Sequence, residues 1–335
     1  MIAGMADSAR SEVFAAGMLR GKVALVTGGG TGLGRATAIE LARCGASVTI
    51  AGRRAETLEA ATEAILEAVP GDPHRAGETT TDLAGNTDRA QGTGQADWVA
   101  GDVREPADAR RLIETVIERR GKLDILVNNA GGQYFTPAES IVAKGWRAVW
   151  RLNVEGMLNM SQAAVGRGMG GTSGEDEEAS GGTIVNVTLS PHHGMPGMAH
   201  SGAARATVEA LTRELAERWA EHRIAVTAIA AGHFDTEAMA KYPHTVRAGM
   251  ARSVPMQRLG TVQEHAWLVT LLCSRAGRAL NGSTVTLDGA RDNWFGPWPP
   301  PGLTGETGEV PTEARKGSSE AGRGVSLGRE AADGN

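Results

Sequence analysis

An apolar run, Val23-Ala24-Leu25-Val26, passes directly into Thr27-Gly28-Gly29-Gly30-Thr31-Gly32-Leu33-Gly34-Arg35 and then into a strong helix pattern from Ala36 to Cys44. Few folds accommodate that order. A strand that ends in a glycine turn at a helix N-terminus leaves backbone N–H groups and the positive end of the helix dipole open, with no side chain above them. That is a seat for a phosphate. The residues placed to line it are Gly28, Thr31, Gly32, Leu33 and Gly34.

The rest of the chain keeps the same alternation. Short β-rich runs at 48–50, 98–99, 125–127, 184–187, 224–229 and 284–287 alternate with helix-like stretches at 34–44, 55–68, 107–120, 146–165, 203–220 and 262–274. Continuous apolar strands separated by helices describe a parallel sheet covered on both faces. The expectation is an α/β chain: a single doubly wound Rossmann domain with a seven-stranded parallel sheet and helices on both faces. Low apolar content and glycine, threonine and charge runs set the limits of that domain. It should span 19–298, after an N-terminal extension at 1–18, with polar surface insertions at 70–95 and 168–182 and a disordered tail at 299–335.

A formal net charge of −5 offers no general attraction to nucleic acid or to an anionic membrane, so any phosphate binding must be local. Cys44 and Cys273 stand apart, with no metal-type cluster and no disulfide framework, which fits a reducing compartment. No apolar run approaches the roughly 18 residues of a membrane span, no secretory signal is visible, and the last residues are not a peroxisomal address. A soluble cytoplasmic protein without a bound metal is expected.

The second strand ends Ile50-Ala51-Gly52-Arg53-Arg54. In dinucleotide folds an acid at this point binds the ribose 2′-hydroxyl, whereas an arginine accepts a 2′-phosphate. No carboxylate precedes the arginines, and a guanidinium fork matches a phosphate. NADPH is therefore the expected cofactor, held at Arg53 and Arg54. Of the two, Arg54 is the better candidate for a solvated residue that only starts the helix.

These residues resemble the short-chain dehydrogenase/reductase family over roughly 19–289. The shared motifs are Thr27-Gly-x-x-x-Gly-x-Gly34, Asp102-Val103, Asn128-Asn129-Ala130-Gly131, Asn153, Gly232-x-x-x-Thr236, Asn281-Gly282 and Asp288-Gly289. The resemblance implies that Asp102 and Val103 lie along the adenine and that Asn129, Ala130 and Gly131 line the cofactor crevice. It implies also that Gly232 and Thr236 face the carboxamide or phosphate side, and that Asn153 bends its helix and holds a water. Ala231 replaces the usual proline before Gly232. Within the family, Asn128 to Tyr134 with Pro137-Ala138-Glu139, Lys144-Gly145-Trp146 and His200-Ser201-Gly202-Ala203-Ala204-Arg205-Ala206 are similar to peroxisomal-type trans-2-enoyl-CoA reductases, with 2,4-dienoyl-CoA reductases as neighbours. A homo-oligomer, a tetramer by family expectation, goes with the resemblance.

Most of the wider family carries Tyr-x-x-x-Lys where this chain has Ser201-Gly-Ala-Ala-Arg205. A tyrosine beside a lysine can protonate an alkoxide. An arginine stays charged and is a poor proton shuttle, so Arg205 is expected to hold ribose hydroxyls and supply fixed positive charge. Reduction of a carbonyl wants an acid beside the alkoxide; hydride delivery to Cβ of an unsaturated thioester develops an enolate, which mainly needs hydrogen-bond donors. The candidate donors are Thr188, Ser190 and Ser201, with Asn153 in support. Counting from Arg205 puts the family's serine at Thr188, and counting from Asn186 puts it at Leu189. His200 reads equally as a cap neighbour or a polar pocket residue, His192-His193 as surface or lid, and Tyr134 as packing or site. The segment 233–257, with Met239, Tyr242, Met250 and Met256, is the expected substrate lid.

Three readings follow: NADPH-dependent reduction of a trans-2-enoyl-CoA, an NADP(H)-dependent carbonyl or alcohol oxidoreductase, and a dinucleotide-binding protein without turnover.

Overall fold

The computed structural model describes residues 10–69, 79–81, 87–89, 96–169, 181–189, 197–241 and 244–293. Seven strands form its central sheet: β1 (Val23–Thr27), β2 (Ser47–Gly52), β3 (Ala96–Ala100), β4 (Ile125–Asn128), β5 (Thr183–Leu189), β6 (Ala225–Ala231) and β7 (Thr284–Leu287). Their order is β7-β6-β5-β4-β1-β2-β3, with every pair parallel. The order reverses between β1 and β4, so the connections leaving these two strands part and open a crevice at the carboxyl end of the sheet.

Side-chain alternation along the strands feeds two apolar layers. Ala24 and Val26 of β1 face one cluster with Val48, Ile50, Val127 and Ile229, covered by α1 (Gly32–Arg43), α2 (Ala55–Ala68) and α8 (Val262–Leu272). Val23 and Leu25 face the other, with Leu126, Ile184 and Val226, covered by α3 (Pro106–Arg120), α5 (Gly156–Gly166) and α6 (Ala199–Arg218). Each fully buried Leu or Ile contributes about 2 kcal/mol of burial free energy. This is the doubly wound, seven-stranded parallel architecture that the alternation implies.

Several boundaries move. Residues 146–165, read as one helix, are α4 (Ala143–Trp150), a π turn at Arg151–Glu155, and α5. Helix α6 begins at Ala199 rather than Ala203, and the lid segment holds a helix, α7 (His244–Arg252). Part of the proposed extension is docked: Ser11 hydrogen-bonds Glu40, and Phe14 packs against the α1–α8 layer. Met169, assigned to the second polar insertion, is 3 % exposed and belongs to the α5–α6 layer. Residues 170–180, most of 70–95 and all of 294–335 lie outside the described residues. Among the described residues no helix is long and apolar enough to cross a membrane.

Candidate active site

The glycine turn is fixed from beneath by side chains. Thr27 Oγ1 donates to Val127 O (3.2 Å) and accepts from the backbone N–H groups of Asn129 and Ala130 (3.1 and 3.0 Å). Asn129 Nδ2 returns bonds to Thr27 O and Gly28 O (3.0 and 3.3 Å), so the turns after β1 and β4 are stitched into one unit. Gly28 holds φ +66°, and a Cβ on Gly34 would run into Gly28 O and the Asn129 amide. Helix α1 therefore starts close against the loop. Its N-cap, Thr31, makes no side-chain cap bond and its first turn carries no acid. Helix α8 differs: Thr261 and Glu264 close a full capping box there. The N-terminus of α1 is left open where the cleft passes it.

That cleft has a volume of about 660 Å³. It brings together all the residues picked from the sequence for the cofactor: Gly28, Thr31, Gly32, Leu33, Gly34, Arg53, Arg54, Asp102, Val103, Asn129, Ala130, Gly131, Arg205, Gly232 and Thr236. Arg53 and Arg54 are exposed on its rim. Arg104 grips Asp102, with Nε 2.9 and 3.0 Å from the two carboxylate oxygens, and holds the carboxyl below its usual range, an effect to which the charge of Arg53 also contributes.

Arg205 lies at the floor. It is 6 % exposed; one terminal nitrogen donates to Val187 O (2.9 Å), its Nε has no partner, and no carboxylate pairs with it among the described residues. Burial pulls its pKa down to about 10. The guanidinium lies so close over Gly131 that a Cβ there would stand 2.7 Å from it and 2.9 Å from Asn153 Oδ1. Asn153 sits in the π turn, and its amide bonds both ways with Gly132 (Nδ2 to O 2.9 Å, N to Oδ1 3.2 Å) and donates to Val149 O (2.7 Å). Asn153 is thus a clamp on the Asn129–Gly132 turn and does not line the cleft.

The proposed donors separate. Thr188 belongs to the cleft wall, but it is sealed and its hydroxyl donates to Arg205 O at 3.3 Å. Ser201 does not line the cleft: the earlier start of α6 puts it inside the first turn, fully buried, with its hydroxyl unpartnered. Ser190, His192-His193 and Tyr242 lie outside the described residues. Met239 and Met250 line the cleft, and Met256 lines a neighbouring cavity of about 70 Å³.

Some cleft features had no sequence signal. Register sets Asn128 beside Asn186, and their amides join with Ser161 and Thr212 in a buried network under the β4–β5 end. Arg35 of α1 forms an ion pair with Glu237 of the 233–257 segment. His233 lies in the cleft wall; burial first and Arg291 second push its pKa down to about 4, against the opposing charge of Asp288.

A family model described as Enoyl-(Acyl carrier protein) reductase matches residues 76–290, and one described as short chain dehydrogenase matches 22–84. A peroxisomal 2,4-dienoyl-CoA reductase of Arabidopsis thaliana is 33 % identical over 81 % of this chain and 85 % of its own length. A probable 2,4-dienoyl-CoA reductase of Bacillus subtilis is 32 % identical over 83 % of this chain and 98 % of its own length. The solved structure of a citronellol catabolism dehydrogenase from Pseudomonas aeruginosa superposes with a TM-score of 0.66 at 33 % identity, covering 84 % of this chain and 98 % of that one. The open helix terminus, the glycine cradle and the buried guanidinium without a carboxylate partner fit the nicotinamide dinucleotide that these relationships imply. The chain belongs to the short-chain dehydrogenase/reductase family and is an oxidoreductase.

Proposed function

We propose that the protein is an NADPH-dependent reductase of the 2,3 double bond of trans-2-enoyl-CoA thioesters. The observation that carries this reading is Arg205: a buried, uncompensated cation stands where the common family pattern has a lysine that tunes a tyrosine acid, and that tyrosine is Ser201. A fixed cation stabilises developing negative charge but does not readily give up a proton, which suits an enolate better than an alkoxide.

In this reading the backbone from Gly28 to Gly34 holds the pyrophosphate at the α1 terminus, and Arg53 and Arg54 take the 2′-phosphate. Asp102 and Val103 lie along the adenine. Asn129, Ala130, Gly131, Gly232 and Thr236 enclose the nicotinamide half, and Asn153 keeps that turn in place. Bound NADPH supplies a hydride to Cβ. Arg205 holds ribose hydroxyls and sets positive charge where the thioester oxygen becomes an enolate. Thr188, in the cleft wall, and Ser190 are the candidate protic groups for that charge, and Met239 and Met250 meet the acyl chain. A homo-oligomer is part of the same reading, supported by the exposed Val142 and Trp146 at α4.

The test is NADPH consumption with a panel of trans-2-enoyl-CoAs and 2,4-dienoyl-CoAs, beside NADH and a simple aldehyde. Turnover of an enoyl-CoA with NADPH, abolished in Arg205→Ala, is the expected result. A second reading, carbonyl or alcohol oxidoreduction, is favoured by the citronellol dehydrogenase and by a 3-oxoacyl-[acyl-carrier-protein] reductase of Thermotoga maritima, 28 % identical over 81 % of the chain. Aldehyde turnover with silence on every thioester would select it.

A further inference from the structure

Hydride delivery to Cβ sends charge onto the thioester oxygen, and the cleft wall has few groups to meet it there. Among the described residues that wall holds no tyrosine, lysine, serine or cysteine. The Thr188 hydroxyl already donates to Arg205 O, and Arg205 itself is a fixed cation at the floor. One histidine lines the cleft, His233.

The backbone holds His233 from both sides. Gly232 N donates to Leu287 O at 2.9 Å, and His233 O accepts from Gly260 N at 2.8 Å, where Phe234-Asp235 pairs with Gly260-Thr261. The turn is tightly packed: a Cβ on Gly232 would stand 2.5 Å from Asp288 Cβ. Phe234 is turned inward, with its ring edge-on to His265. Successive side chains of an extended segment point to opposite sides, so the His233 ring is directed away from that contact. It is half-buried between the cleft and the adjoining cavity of about 70 Å³, and it makes no hydrogen bond among the described residues. The charges that reach it are Arg291 and Asp288, while Arg258 and Glu264, which line the smaller cavity, pair with each other. Burial first and Arg291 second disfavour the imidazolium, against Asp288. The neutral ring that results keeps one N–H to donate.

We infer that His233 is a catalytic hydrogen-bond donor of the substrate wall, its ring N–H directed at the thioester oxygen. The inference deepens the reductase reading and rests on it. In that reading Gly232 and Thr236 enclose the nicotinamide half of the cofactor, which places the side chain that follows Gly232 beside the reacting end of the substrate. The thioester oxygen is a weak acceptor before hydride arrives and a strong one as the enolate forms. The bond therefore tightens towards the transition state, which raises kcat more than it improves binding. The ring transfers no proton. A neutral imidazole whose cation is disfavoured by its surroundings is a competent electrophile for a carbonyl oxygen. Arg205 adds fixed charge from the floor, and His233 adds a directed donor from the wall. Met239 and Met250, further along the same segment, also line the cleft, so one stretch of chain carries both the oxygen contact and the acyl contact.

The experiment pairs two variants with a spectroscopic measurement. His233→Phe keeps a planar ring and removes the donor; His233→Gln keeps an N–H donor. On a trans-2-enoyl-CoA, His233→Phe should lose about 100-fold in kcat, with KM and the NADPH Kd within about twofold of the wild type. His233→Gln should recover about tenfold of that loss. Equal losses in the two variants, wild-type kcat in His233→Phe, or a loss confined to the NADPH Kd each overturn the inference. Independently of turnover, infrared spectra of hexanoyl-CoA labelled with 13C at its carbonyl, bound to the full chain with NADP+, should show the carbonyl stretch lowered from its value in water. The lowering should persist in His233→Gln and disappear in His233→Phe; a stretch indifferent to both variants sinks the donor even if the wild-type protein reduces enoyl thioesters. If the protein reduces aldehydes and no thioester, the substrate reading fails, and the kcat of the same two variants on the aldehyde still decides whether His233 holds the oxygen.

Discussion

The structures behind the two walls of the cleft treat their polar groups differently. On the β1–β4 side, the side chains of Thr27, Asn129 and Asn153 are bonded to backbone and hold a rigid cradle. On the β5–α6 side, Arg205, Ser201 and His200 are buried with polar atoms still unpartnered. The first wall leaves only the backbone N–H groups of the α1 terminus open to the cleft. The second carries a desolvation cost that only a bound molecule or water relieves, which is where chemistry rather than binding is expected.

Substitutions on the two walls should therefore fail in opposite ways. The largest effect is expected from Arg205→Met, which should lower kcat/KM by about 10²- to 10³-fold. The same variant should melt no lower than the wild type, because it removes an uncompensated buried charge. A lower Tm with activity retained would erase the contrast between the walls. Asn153→Ala should do the reverse. It strands Gly132 O and Val149 O, and urea unfolding should show a loss of about 2–3 kcal/mol.

Acid tests a third place, the contact between α8 and α1, where His265 is fully buried against Thr37 and Phe234. Burial lowers its pKa to about 4, so the unfolded chain takes up a proton below about pH 6.5 that the folded chain refuses. Stability is then complete above that pH and falls towards pH 4, by about 1.4 kcal/mol per unit for this group. The slope of unfolding free energy against pH should be shallower by about one proton in His265→Leu. The smallest effect is on the rim: Arg53→Ala should raise the KM for NADPH about tenfold and leave that for NADH unchanged. Equal changes for both would remove Arg53 from the 2′-phosphate.

The same division explains what could be read from the chain. The sheet and the cradle depend on local order, a continuous apolar run followed by a glycine turn, and the strand and loop positions match it closely. The second wall depends on relations that no local pattern carries. Gly202 suggests a helix beginning at Ala203, but tertiary packing extends α6 back to Ala199 and draws His200 and Ser201 inside. The Asn128–Asn186 bond exists only once parallel register is fixed. Helix α7, interrupted by Gly249, has no clear apolar stripe to announce it. The π turn follows no proline or glycine; Asn153 signals it by being a polar residue that needs partners and by the bend the family resemblance implies there.

That turn also governs where the chain tolerates a change of length. Helices α4 and α5 run through it as one rod, yet α4 packs on α6 while α5 packs on α3 and β4. Each residue of an α-helix turns the chain by about 100°. The i→i+5 turn already holds one residue more than an α-turn, so one further residue inserted in 151–155 would rotate Met157, Met160 and Ala164 away from the layers they now fill. A partly exposed helix surface is usually a forgiving place for insertions; this one is not.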